Sequence, residues 1–154
     1  MIRRAEKTDR HSVVNLIRAL ANFEELPPPD AAAEARFASD AWPEDGSKPR
    51  CTVWLAEHEV DGKTLAVGYA ITFDAYSSFL AKPTLYLEDI FVLDEYRRTA
   101  FGTLIMEHLI EYARATGCGR VEWVVLDWNT SAQQFYERLG AANLKEWLHY
   151  RITL

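Results

Sequence analysis

One stretch in the middle of the chain, Leu85-Tyr86-Leu87-Glu88-Asp89-Ile90-Phe91-Val92, restricts the fold more than any other. It is aromatic and β-branched, with apolar residues at odd and even positions alike. That is the pattern of a strand covered on both faces. A cover for one face lies directly downstream. After the polar segment Asp94 to Thr99, the residues Phe101, Leu104, Ile105, His108, Leu109 and Tyr112 recur at helical spacing. They predict a helix of about 15 residues, closed by Gly117 and Gly119. Arg120 to Leu126 then reads as a second strand. Strand, helix, strand in this order implies a parallel pair.

The flanking segments complete a mixed sheet. Ile2 to Ala5 reads as a short first strand. Val13, Leu16, Ile17 and Leu20 mark an amphipathic helix over residues 9–22. Pro27-Pro28-Pro29 ends it, and Asp30 caps an alanine-rich helix to about Ser39. Residues 52–73 read as an antiparallel hairpin turning at Asp61-Gly62. A loop is expected from Ser77 to Thr84. Asn129 caps a last helix through Leu139, stopped by Gly140, and Asn143 to Leu154 is expected to hold one or two strands. The expectation is a single mixed α/β domain over residues 1–154, its sheet partly antiparallel and partly parallel.

Charge and composition exclude several classes. Lys and Arg total 17 against 23 Asp and Glu, a net charge of −6. Such a domain is a poor general binder of nucleic acid or anionic membrane. No apolar run approaches the roughly 20 residues of a membrane span, and Met1 to Lys7 lacks a signal peptide's apolar stretch. Cys51 and Cys118 form no C-x-x-C pair, and His11, His58 and His149 show no metal-ligand spacing. A cytoplasmic protein without a metal is expected.

Three features could carry chemistry. Glu88 and Asp89 interrupt the central apolar strand. Strict alternation would turn them to opposite faces. Burial of either would raise its pKa toward the range useful for a base, although a buried carboxylate is as often a structural partner. Arg97-Arg98-Thr99-Ala100-Phe101-Gly102 links that strand to a helix, where open amides, the helix dipole and two arginines could hold a pyrophosphate. Trp128-Asn129 and Phe135-Tyr136-Glu137-Arg138-Leu139-Gly140 form the third feature. Asn129 is a natural cap, Phe135 and Leu139 fit a core stripe, and Tyr136 adjoins it. His108, on an apolar stripe, reads as a core or interface histidine.

Together these blocks resemble the GCN5-related N-acetyltransferase superfamily. Glu95-Tyr96-Arg97, Gly117-Cys118-Gly119-Arg120, Phe23-Glu24-Glu25 and Ser78-Phe79-Leu80-Ala81-Lys82-Pro83 extend the likeness to its diamine (spermidine/spermine) acetyltransferase branch, over nearly the whole chain. The resemblance implies acetyl-coenzyme A as co-substrate, held where strands 85–92 and 120–127 splay apart. Ile90, Phe91 and Val92 would pair with its pantetheine arm. The amides of Arg98, Thr99, Ala100, Phe101, Gly102 and Thr103, with Arg97 nearby, would receive the pyrophosphate. Asn129 would bond the arm. Glu88 would act as base and Tyr136 as general acid toward the sulfur.

The acceptor implied is a small primary amine: a diamine, a polyamine or a lysine-like amino acid. Glu24, Glu25, Asp89 and Glu122 are the candidates to recognise its positive charge. Relatives are commonly homodimers. The sequence departs from the family at Ala100 and Arg98, where glycine is usual; alanine keeps its N–H available if its φ is negative. A non-catalytic acyl-coenzyme A sensor and a protein or peptide N-acetyltransferase are the competing readings.

Overall fold

The computed structural model describes all 154 residues. They divide into two compact units, Met1–Trp123 and Val124–Leu154. The first holds a five-stranded sheet in the order β1-β2-β3-β4-β5: β1 Ile2–Arg4, β2 Thr52–Val60, β3 Lys63–Ser77, β4 Lys82–Val92 and β5 Arg120–Glu122. Strands β1 to β4 pair antiparallel, and β5 lies parallel to β4. The β2–β3 hairpin turns at Asp61 and Gly62, both at positive φ (50° and 73°), as a two-residue turn with the twist of the strands requires.

Alternation along the strands separates two faces. Val53, Leu55, Tyr69, Ile71 and Phe91 form one core with Val13 and Leu16 of helix α1 (Arg10–Phe23) and Ala41 of helix α2 (Ala31–Ala41). The carboxylate of Asp30 caps α2, accepting from the Ala33 amide at 2.7 Å. Trp54 turns the other way. Its ring meets His108 at 4.8 Å and Tyr112 at 4.9 Å on helix α3 (Phe101–Ala115), and its indole N–H donates to Thr72. Ile105, Met106, Leu109 and Ala113 bury the rest of that helix's inner stripe.

The predicted loop from Ser77 to Thr84 shrinks to a turn at residues 78–81, and β4 starts at Lys82. Pro83 fits because it stands near the strand's beginning and engages through its carbonyl, which accepts from Gly119 N at 2.8 Å. The strand expected through Leu126 ends at Glu122, opposite Tyr86. Residues Leu87–Val92 therefore have no neighbouring strand on the β5 side.

The second unit contains helix α4 (Thr130–Arg138). Gly140, at φ 84°, closes it, with the Ala141 amide bonded to the Tyr136 carbonyl. The strands expected in residues 143–154 do not form, and Trp147, Leu148, Tyr150 and Ile152 are exposed. A strand needs a partner edge as well as an apolar pattern, and none pairs with this stretch. No helix of the protein is long and apolar enough to cross a membrane.

Candidate functional site

An irregularity in β4 creates the site. Ile71 pairs with Asp89 and Thr72 with Leu87, so Glu88 is an extra residue in the ladder. Such a bulge breaks the alternation of side chains. The expectation that Glu88 and Asp89 face opposite sides is thereby corrected: both border one cavity of about 480 Å³ on the α1/α2 face of the sheet. Val14, Ile17, Phe37, Ile71 and Phe73 provide its apolar wall. Glu34, already paired with Arg18 at 2.6 Å, and Asp40 add two further carboxylates, and Arg50 lies at its edge.

The two central carboxylates are not equivalent. Glu88, on the bulge, is exposed; Asp89 is largely enclosed. Burial, and then the neighbouring charges of Glu88 and Glu24, push the Asp89 carboxyl up to about 6, against a lowering contribution from its hydrogen bond with Tyr69. That bond, with the Tyr69 hydroxyl donating to Asp89 Oδ2, is 3.2 Å long. Burial and the Asp89 charge hold the Tyr69 hydroxyl far above its usual range, so it stays a donor. Glu24, half-buried just past the end of α1, is itself raised by burial. Cys51 lies within electrostatic range of both Asp40 and Asp89. Burial and those two charges raise its thiol, the opposite of an activated nucleophile.

Beyond the far end of β4 lies the segment expected to receive a pyrophosphate. Arg97 is less available to it than its sequence position implies. Its Nε donates to the Val92 carbonyl at 3.0 Å, its Nη1 contacts Asp94 at 3.3 Å, and its guanidinium stacks 4.1 Å over Phe23 and 5.1 Å from Phe91. It braces the loop. Arg98 is exposed and takes φ 61°, the conformation glycine adopts at least cost. Ala100 has φ −73°, so its methyl leaves the amide in ordinary helical geometry. Within α3 the Leu104 amide bonds back to Ala100, which leaves the Gly102 and Thr103 amides ahead of it without a backbone acceptor.

The other candidates fall elsewhere. Glu25 is exposed at φ 56° in the turn after α1, and Glu122 pairs with Arg120 at 3.0 Å; neither lines the cavity. In the second unit the Asn129 carboxamide oxygen caps α4, accepting from Ala132 N at 3.1 Å, and its amide nitrogen can still donate. Tyr136 is buried beside Phe135, and burial pushes its hydroxyl up to about 12. It keeps its proton at neutral pH. Tyr69, Asp40, Arg50 and Cys51 had no signal as site residues in the sequence. Only the Tyr69 hydroxyl, in the apolar stretch Leu65–Ile71, hints that a buried partner must exist.

Comparison with known proteins gives a consistent picture. The model of the family described as Acetyltransferase (GNAT) family matches residues 16–141. An L-ornithine N5-acetyltransferase of Arabidopsis thaliana, NATA1, is 34% identical over 190 residues, covering 99% of this chain and 83% of that protein. A thialysine N-epsilon-acetyltransferase of Mus musculus is 35% identical over 158 residues, covering 97% and 90%. Among solved structures, one named a probable acetyltransferase superposes with a TM-score of 0.82 at 20% identity, covering 100% and 97% of the two chains. At that identity it speaks for the fold alone.

Proposed function

Since the chain belongs to the GNAT family of acetyltransferases, we propose that it moves an acetyl group from acetyl-coenzyme A to the primary amine of a small cationic acceptor, by direct attack in a ternary complex. The observation that carries this reading is the cavity with Glu88 and Asp89 on one wall. A cluster of carboxylates over an apolar floor suits an alkyl ammonium, whose chain prefers the floor and whose head prefers the charge.

The residues fit the co-substrate. An extended arm needs an unpaired strand edge, and β4 offers one beyond Tyr86, where Ile90 and the Val92 amide face away from β3; the Val92 carbonyl already accepts from Arg97, and Phe91 pairs with Tyr69. A pyrophosphate needs open amides and positive charge, which Arg98, Gly102 and Thr103 at the start of α3 offer. When bound, acetyl-coenzyme A supplies a thioester carbonyl as the electrophile.

The chain's own part is proton management and charge stabilisation. An alkyl ammonium has a pKa near 10.4, so freeing its lone pair at pH 7.4 costs about 4 kcal/mol. Asp89 and Glu88 receive that proton as a pair: Asp89 from its enclosed position near neutral poise, Glu88 as the exposed exit to solvent. Amides of the open β4 edge meet the charge that develops on the carbonyl oxygen. Tyr136 gives its proton to the departing sulfur, a role that rests on the family resemblance together with its retained proton. Holding both substrates together lowers the barrier further. A homodimeric state is carried over from the same resemblance.

A thiol-release assay across diamines, polyamines and basic amino acids tests the proposal. Turnover with at least one small amine is the expected result. Binding of coenzyme A without turnover of any amine would instead favour an acyl-coenzyme A sensor, and turnover of peptides alone a protein acetyltransferase.

A further inference from the structure

A hydroxyl sits in the core just behind the cavity wall. Tyr69 on β3 is fully buried, packed among Val13, Leu55 and Phe91. It does not line the cavity, whereas Ile71, two residues on, does. For packing alone phenylalanine would serve better, because a buried hydroxyl costs free energy unless it finds a partner. The partner here is ionisable: the hydroxyl donates to Asp89 Oδ2 at 3.2 Å. Strand register makes the contact possible. Tyr69 lies opposite Phe91 and Ile71 opposite Asp89, so Tyr69 and Asp89 are diagonal neighbours on one face of the sheet, within reach of an aromatic side chain. The bond engages Oδ2 and leaves Oδ1 to an incoming group.

The surroundings of Asp89 oppose its charge. Burial, Glu88 beside it on β4 and Glu24 past the end of α1 all disfavour the anion, and the Tyr69 bond runs the other way. Around the cavity stand Glu34 and Asp40 of α2, with Arg50 and Cys51 ahead of β2. Glu34 is held by Arg18, Arg50 Nε lies 3.6 Å from Asp40 Oδ1, and the Cys51 thiol is raised. The hydrogen bond that supports the Asp89 anion comes from Tyr69.

We propose that Tyr69 is a positioning residue of the site: its hydroxyl fixes the Asp89 carboxylate from behind, holding Oδ2 toward the core so that Oδ1 meets the acceptor amine and takes its proton. This rests on the acetyltransferase reading above and deepens it. Tyr69 touches neither substrate and acts through Asp89 in two ways. The bond selects one orientation of the carboxylate, which keeps the reacting geometry narrow. It also favours the Asp89 anion, since a carboxyl that already holds a proton cannot receive one. In the transfer an N–H bond of the ammonium breaks with its electron pair left on nitrogen, and an O–H bond forms at Oδ1. Tyr69, whose hydroxyl is held far above its usual range, keeps its own proton.

Tyr69→Phe removes the hydroxyl and keeps the ring against Phe91. Two nuclear magnetic resonance titrations of ligand-free protein read the coupling. One follows the side-chain carboxyl carbon of Asp89, assigned by its loss in Asp89→Asn. The other follows the Cζ carbon of Tyr69 in the wild type. Both wild-type signals are expected to share a midpoint near 6. In Tyr69→Phe the Asp89 midpoint should rise by about 1 pH unit, the worth of a hydrogen bond to a charged group. The acid limb of kcat/KM for a turned-over amine should move up with it, so that the variant's loss is about 5-fold larger at pH 6 than at pH 8.5. A loss equal at every pH marks a merely structural role and overturns the proposal. So does an Asp89 midpoint that stays in place, or a Tyr69 signal that does not follow Asp89. The Tyr69 titration needs no variant and decides the matter if Tyr69→Phe does not fold. If no amine is turned over, the acetyltransferase reading fails separately, and the two titrations still decide whether Tyr69 governs Asp89.

Discussion

Replacing Asp89 with asparagine should make the protein more stable while disabling its acceptor chemistry. The carboxyl of Asp89 in the folded chain releases its proton near 6 because burial and the charges of Glu88 and Glu24 disfavour the anion. In the unfolded chain it does so near 3.9. Between these values the native state holds a proton that the unfolded state has lost. Stability therefore falls as pH rises from about 4 to about 6, and the full penalty persists above that window. The gap corresponds to about 3 kcal/mol at neutral pH, an upper value because Asp89 retains some contact with water. Asparagine is neutral throughout and can still accept from the Tyr69 hydroxyl. The variant should gain up to about 3 kcal/mol at pH 7.5, or up to roughly 6–12 °C in Tm for a domain of this size, and almost nothing at pH 4. Urea and thermal unfolding followed by circular dichroism from pH 4 to 8, without ligand, measure this directly. A variant less stable than wild type at pH 7.5, or a difference that does not change between pH 4.5 and 7.5, would refute the account of Asp89.

Three further substitutions examine the rest of the site. Arg98→Gly should relieve a left-handed backbone worth about 1 kcal/mol and raise Tm by about 2–4 °C, while calorimetry shows weaker coenzyme A binding from the lost cation. An unchanged Tm would mean that Arg98 is unstrained. Tyr136→Phe should lower kcat with little effect on coenzyme A affinity, and unaltered turnover would remove its role as acid. Glu88→Gln should slow the enzyme most at lower pH, where the amine is most protonated; a pH–rate profile matching wild type would exclude Glu88 from the proton path.

Elements whose signals are local were legible in the sequence. The helix read over 9–22 forms at Arg10–Phe23, the one read from Phe101 at Phe101–Ala115, and the one capped by Asn129 at Thr130–Arg138. The Asp61-Gly62 hairpin and the parallel β4–β5 pair also form. Each rests on apolar period, a cap or a turn residue acting within a few positions. Features that depend on a distant partner were not legible. The early end of β5 and the absence of strands after Asn143 are decided by which edges pair. The bulge at Glu88 was hidden because an extra residue leaves composition and apolar pattern unchanged, yet it decides which way Glu88 and Asp89 turn. Arg50, Asp40 and Tyr69 come from a loop, a helix end and another strand, and only folding brings them to Asp89's cavity.

The surplus peptide unit in β4 also bears on how this site can change over generations. Point replacement leaves the number of backbone units intact, so it can swap a side chain but cannot straighten the strand. Removing most neighbouring codons would rotate Phe91 out of its packed position opposite Tyr69. Loss of the Glu88 codon alone spares it: Leu87 and Asp89 already hold consecutive places across from Thr72 and Ile71. A single in-frame deletion, or the reverse insertion, can thus subtract or add one acidic group at the cavity wall while the hydrophobic interior keeps its register.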